Sequence, residues 1–280
     1  MTKVHLILGF LGAGKTTFLK KVLHKPELQN ESIMLIVNDY GLENYDAQEL
    51  KQEGVELMEI TNGCLCCSYK NQFEEALMAC ADKKNLERIF IEPSGLFFPD
   101  QVIEIFEKEP LRSSMKLEPI VTIVDYALLS GKKLWPPAIE RLIEAGQLIV
   151  KNKIDMVSSE DQQNVEKRIK QLNKHALYNF EEAVNNFPYF KDDKYLSYYS
   201  NDLQDADHGI NYIQLSDGLE FQDQAALLSY LMGHKPTLIR AKGNVLLGGK
   251  LVYVNYINKD LNIQPSYAEA RIGLSCFMDK

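Results

Sequence analysis

Residues 9–17 read Gly9-Phe10-Leu11-Gly12-Ala13-Gly14-Lys15-Thr16-Thr17 and satisfy the phosphate-loop pattern G-x-x-x-x-G-K-[ST]. No other feature constrains the fold as much, because the pattern functions only between a buried strand and a helix. Val4-His5-Leu6-Ile7-Leu8 reads as that strand. From Thr16 to about Leu28, Phe18, Leu19, Val22 and Leu23 recur at helical spacing, and the pattern stops near Pro26. Glycines let successive backbone N–H groups turn inward, and the helix N-terminus adds partial positive charge. The expected phosphate contacts are Gly9, Gly12, Ala13, Gly14, Lys15, Thr16 and Thr17. Lys15 reaches the β- and γ-oxygens, and the Thr16 hydroxyl ligates Mg²⁺. A flexible glycine turn ahead of Lys-Thr is the plain alternative, and the strand and helix on either side outweigh it. The chain is expected to bind a nucleoside triphosphate.

Short apolar runs recur between helical patterns: Val4–Leu8, Ile33–Val37, Leu57–Ile60, Ile89–Ile91, Ile120–Val124 and Leu148–Val150. Phe73–Ala81 and Ala138–Ala145 are helical stretches among them. Strands apolar throughout and alternating with helices predict an α/β fold, a mostly parallel, doubly wound sheet of the P-loop NTPase kind. Ser158–Asn173 reads as a surface helix closing this first domain, which is expected to span 1–190. The segment 187–207 mixes tyrosine with aspartate and has no period. A small C-terminal α+β domain is expected over 208–280. Its predicted elements are a strand at Tyr212–Leu215, a helix at Gln222–Leu231 and strands at Thr237–Arg240, Lys250–Ile257 and Arg271–Phe277, with a turn at Gly248-Gly249.

With 31 basic against 39 acidic residues the formal charge is −8, which argues against a nucleic-acid partner. No apolar run approaches the roughly 20 residues of a membrane helix, and the N-terminal apolar stretch runs directly into the phosphate loop. It reads as a strand, not a signal peptide, and the expectation is a cytoplasmic protein. Five cysteines, three of them within four positions, do not form a disulfide framework.

Asn152-Lys153-Ile154-Asp155 follows the strand Leu148–Val150. The Asp155 carboxylate accepts from N1–H and the exocyclic amine of guanine, the Lys153 stem lies over the base and Asn152 ties the loop down, so GTP is expected over ATP. Glu92-Pro93-Ser94-Gly95 ends another strand; Glu92 is placed for Mg²⁺ and the Gly95 N–H for the γ-phosphate. Asp39, in the loop after Ile33–Val37, is a further candidate for Mg²⁺ or for orienting water. In Asn62-Gly63-Cys64-Leu65-Cys66-Cys67 the thiols of Cys64, Cys66 and Cys67 can converge on one soft ion, zinc or cobalt foremost; metal is the favoured reading over buried small hydrophobes or a redox thiol pair. Cys-x-Cys is too tight for easy disulfide geometry. Cys80 and Cys276 sit in core patterns, and the five histidines show no paired spacing.

Together these motifs resemble the CobW-type GTPases, the branch that also holds the UreG and HypB nickel-insertion GTPases. The resemblance rests on Gly9–Thr17, Asn38-Asp39-Tyr40-Gly41, Asn62–Cys67, Glu92–Gly95 and Asn152–Asp155, with Arg240-Ala241-Lys242-Gly243 like the start of the family's C-terminal domain. The family's Asn-Glu-Phe-Gly-Glu is altered here: Asp39 replaces the first acid, Leu42 stands at the second and Glu43 follows one position later. The resemblance implies a GTP hydrolase that delivers a transition metal to a client metalloprotein, cycling between GTP and GDP with Mg²⁺ at Thr16, Asp39 and Glu92, and it allows a homodimer. Lys15, Thr16, Asp39 and Glu92 are its expected catalytic set. No arginine finger is visible, so slow intrinsic hydrolysis is expected. The alternative is a GTP-dependent activator of a cofactor enzyme, such as a corrinoid protein, with structural cysteines. A nucleotide kinase is the third reading, disfavoured by the guanine-reading motif.

Overall fold

The computed structural model describes residues 1–37, 55–60, 68–83, 85–93, 99–106, 108–132, 134–175, 177–188, 210–215, 218–233, 238–257, 260–266 and 272–279. The chain forms two compact units, one within residues 1–206 and one carried chiefly by Asp207–Lys280. Among the described residues no helix is long and apolar enough to cross a membrane.

In the larger unit, strands β1 (Thr2–Gly9), β2 (Ile33–Val37), β3 (Glu56–Glu59), β4 (Arg88–Glu92), β5 (Met115–Leu117), β6 (Val121–Asp125), β7 (Leu148–Asn152) and β8 (Leu177–Asn179) build one sheet. Its order is β3-β2-β4-β1-β6-β7-β8, with β5 also pairing β1, and every pairing is parallel. Helices α1 (Lys15–Leu23), α2 (Ser68–Ala81), α3 (Pro99–Phe106), α4 (Leu111–Ser114), α5 (Tyr126–Leu129), α6 (Pro137–Ala145), α7 (Ser159–Leu172) and α8 (Phe180–Asn186) lie between or after the strands. All five residues of β2, β4 and β6 are buried, as expected of strands covered on both faces. This is the α/β sheet of a P-loop NTPase. The apolar face of α1, Phe18, Leu19, Val22 and Leu23, packs into one core with Ile7, Leu35, Phe90 and Val150.

Two expectations need correction. The first helix does not run on to Leu28: it stops at Leu23, and a separate 3₁₀ turn covers Pro26–Leu28. Lys25, ahead of the proline, is extended (φ −69°, ψ 135°), as the proline ring requires of its predecessor. The helix α7 does not close the unit, because β8 adds to the sheet edge beside β7 and α8 follows it. A three-residue strand is too short to show a period. The strands that lead into the phosphate loop and the thiol motif, β1 and β3, are not adjacent: β2 and β4 lie between them.

Beneath the N-terminal end of β1 lies a buried polar cluster. His5 is 4% exposed and stacks on Phe90, with ring centroids 5.0 Å apart. Arg88 Nη1 donates to His5 Nε2 at 2.5 Å, and the guanidinium also pairs with Glu31. Arginine only donates, so His5 Nε2 carries the lone pair and the ring is neutral. Burial, then the charges of Arg88 and Lys3, hold its pKa well below 6.5. The unfolded chain therefore takes up a proton near pH 6.5 that the folded chain refuses, and stability is lost as pH falls through that value. The limiting slope for one proton is about 1.4 kcal/mol per pH unit. Urea unfolding of wild type and His5→Leu at pH 7.5, 6.5 and 5.5 is expected to show the variant less sensitive to acid. Equal pH dependence of the two chains would contradict the neutral assignment.

The smaller unit contains β9 (Ile210–Leu215), β10 (Glu220–Phe221), α9 (Gln224–Gly233), β11 (Leu238–Leu247), β12 (Lys250–Ile257), β13 (Asp260–Pro265) and β14 (Gly273–Asp279). The sheet order is β13-β12-β11-β14-β9, all antiparallel, with β10 pairing β11 in parallel. Leu227 and Leu231 of α9 pack on Ala241, Val245, Val254 and Leu274. The strand expected at Thr237–Arg240 is longer, and β13 was missed. Ala241-Lys242-Gly243-Asn244 hides the alternation because Lys242 and Asn244 are buried polar residues on one sheet face. A Cβ at Gly243 would lie 2.0 Å from the Gly273 carbonyl oxygen, so the close approach of β14 requires glycine there.

Candidate functional site

The described candidates gather at the carboxyl ends of β4, β1, β6 and β7, the edge where open α/β sheets bind ligands. Lys15 opens α1 and is only 7% exposed; its Nζ donates to the Gly9 carbonyl at 3.0 Å. Gly14, the N-cap of α1, has φ +102°, and a Cβ there would lie 2.4 Å from Asn152 Nδ2. Only glycine satisfies both the left-handed backbone and that contact. Asn152 closes against the loop by donating from Nδ2 to the Ala13 carbonyl at 2.8 Å, while its Oδ1 accepts the Lys153 N–H at 2.9 Å.

Lys153 leaves the strand in a left-handed conformation (φ 56°, ψ 32°) and folds back. Its Nζ donates to the Gly12 carbonyl at 3.0 Å and to Asp125 Oδ2 at 2.6 Å. The turn that follows β7 is thus fastened to the phosphate loop at two consecutive carbonyls. Asp155 lies in the 3₁₀ turn Ile154–Met156 with its side chain in solvent. Gln162 of α7 donates to the Ile154 carbonyl at 2.7 Å and pins that turn.

Glu92, the last residue of β4, is 5% exposed and accepts from Thr16 Oγ1 at 2.9 Å. A hydroxyl and a carboxylate brought together beside a phosphate loop are hard oxygen donors of the kind Mg²⁺ takes, and the Thr16 oxygen keeps lone pairs after donating its proton. The residues present fit that ion. Asp39, Gly95 and the thiols of Cys64, Cys66 and Cys67 lie outside the described residues. Cys80 and Cys276 are buried thiols whose pKa burial pushes up to about 11, as suits inert core positions.

Asp125 was missed in the sequence. It is 3% exposed, and Oδ1 accepts the Leu128 N–H at 3.0 Å to cap α5 while Oδ2 holds Lys153. The signal was available: an acid ending a buried strand, as Glu92 does.

Sheet, loop and tethers define a P-loop nucleoside-triphosphate domain. Residues 3–179 match the family described as "CobW/HypB/UreG, nucleotide-binding domain", and the chain belongs to it. Among curated proteins, "Zinc chaperone CobW" of Sinorhizobium sp is 31% identical over 183 residues, covering 55% of this chain and 51% of that protein. "Zinc chaperone YjiA" of Escherichia coli is 36% identical over 128 residues, covering 44% and 40%. The chain spans about half or less of the length of these relatives. The solved structure of Zn(II)-bound YjiA GTPase from E. coli aligns with 100% of this chain and 94% of that one, at 16% identity and a TM-score of 0.43. HypB from Helicobacter pylori in complex with nickel aligns with 66% and 83%, at 17% identity and a TM-score of 0.46.

Proposed function

We propose that this chain is a GTP-dependent metal chaperone, in which the nucleotide occupies the loop at Gly9–Thr17 and a thiophilic ion is cargo for Cys64, Cys66 and Cys67. The observation that carries the nucleotide half is the double tether from Asn152 to the Ala13 carbonyl and from Lys153 to the Gly12 carbonyl. It brings the base-reading turn against the phosphate loop, so the exposed Asp155 and the phosphate N–H edge serve one ligand. Lys15 supplies charge to the β- and γ-oxygens. Thr16 and Glu92, with Asp39, hold Mg²⁺, which neutralises charge developing on the transferring phosphoryl group. Gly95 serves the γ-phosphate and Thr17 the neighbouring phosphate oxygens. Hydrolysis in the isolated chain is slow, because nothing in the sequence reads as an arginine finger. Residues 1–190 form the GTPase domain and 208–280 the C-terminal domain, and the client is a metalloprotein.

The metal half draws on the relatives named zinc chaperones and on three thiols within four positions. Its test is reciprocal coupling: if GTP·Mg²⁺ tightens zinc, zinc tightens GTP·Mg²⁺ by the same factor. Competition with a zinc indicator is expected to show roughly 5–150-fold tighter zinc with a GTP analogue than with GDP, the span of ordinary couplings. Cys66→Ser with Cys67→Ser is expected to remove that zinc and spare metal-free nucleotide affinity. Equal zinc affinity in all nucleotide states would instead favour an assembly factor with structural cysteines.

A further inference from the structure

The guanine reading places the Lys153 stem over the base, yet the turn itself does not dictate where a flexible four-carbon chain points. We infer that Asp125 is a positioning residue for guanine binding, holding Lys153 between the phosphate loop and the base; this rests on the GTP reading above. Asp125 and Asn152 are partners across the β6–β7 pair. Lys153 is therefore one residue beyond a fixed register, and its left-handed backbone sends the side chain back across β6. There the ammonium meets two acceptors from different elements, Asp125 Oδ2 and the Gly12 carbonyl. The Asp125 side chain is 1% exposed and the Lys153 side chain 28%, so the buried carboxylate is the fixed end of the pair.

Two consequences follow from the charges. A lysine ammonium is strongly hydrated and rotates freely on its stem. Without Asp125 the partly exposed Lys153 turns to water and its tether to Gly12 loosens. With Asp125 the positive charge is matched at its own site, and the stem presents methylene groups to a planar base.

The plain alternative is that Asp125 only caps α5 through Oδ1. Asparagine and serine cap as well as aspartate or nearly so. Asp125→Asn and Asp125→Ser both keep the cap; asparagine removes the charge, and serine also falls short of Lys153. The full chain, Asp125→Asn, Asp125→Ser, Lys153→Ala and the double variants are titrated with methylanthraniloyl-GTP, with ATP as competitor and thermal melting as a fold control. Asp125→Ser is expected to weaken binding about tenfold with melting little changed, and to add nothing in the Lys153→Ala background, as for residues acting through one another. A smaller loss in Asp125→Asn supports the same assignment. Wild-type affinity in Asp125→Ser, or losses that multiply with Lys153→Ala, overturn it. If Asp125→Ser does not fold, the Asp125→Asn cycle with Lys153→Ala decides. ATP displacing the probe from wild type as well as GTP does would instead sink the guanine reading on which the inference rests.

Discussion

Lys15→Ala is expected to lower kcat/KM for GTP by roughly 10²–10³-fold, the scale of removing one preorganised donor from a developing charge. Lys15 is 7% exposed, and its ammonium is already within the loop, bonded to the Gly9 carbonyl. Nothing else described in the loop brings a full positive charge to the phosphates, since Lys153 is occupied by Asp125 and Gly12. The variant gives up the contact with the Gly9 carbonyl, and thermal melting serves as the fold control. Phosphate release under steady state and equilibrium binding of a fluorescent GTP measure the two sides. Turnover close to wild type would remove Lys15 from the site.

Gly14→Ala should be nearly as damaging, for reasons that a control glycine separates. The new Cβ enters a backbone at φ +102° and lies 2.4 Å from Asn152 Nδ2. Backbone strain at such a position costs about 1–3 kcal/mol. Displacement of Asn152 also breaks its bond to the Ala13 carbonyl, and with it one link between the loop and the turn that follows β7. Gly131 has φ +70° and no atom within 4 Å of its would-be Cβ. Gly131→Ala should therefore show the strain alone, with GTP affinity kept, whereas Gly14→Ala should lose nucleotide binding as well. Equal effects on GTP affinity in the two variants would show that the Asn152 contact does not matter.

Much of this site was legible because its chemistry is local. The phosphate loop, Glu92 and Asn152–Asp155 each sit where a buried strand ends, and an apolar run followed by a polar motif is readable without knowing the strand order. What the sequence withheld is non-local. The separation of β1 from β3 is set by which crossovers pack where, and the Lys153–Asp125 pair joins residues 28 apart. Neither leaves a spacing that a window can detect. In the smaller unit, β11 was cut short because Lys242 and Asn244 are buried polar residues in a strand, against the usual sorting of side chains. The 3₁₀ break at Pro26 is half legible: the proline marks a stop, but its effect on Lys25 places the helix end at Leu23.

The contact between Lys15 and the Gly9 carbonyl changes what phosphate capture involves. An ammonium on the surface carries a shell of water that must be stripped before it can touch an anion. Lys15 has already been dehydrated by folding and rests on a neutral oxygen of its own loop. On the proposed reading, an arriving phosphate takes over the ammonium from the loop's own carbonyl, in place of displacing bulk solvent. The charge is thereby stored in the folded chain with its hydration cost already met, ready for whichever polyphosphate fits the rest of the loop.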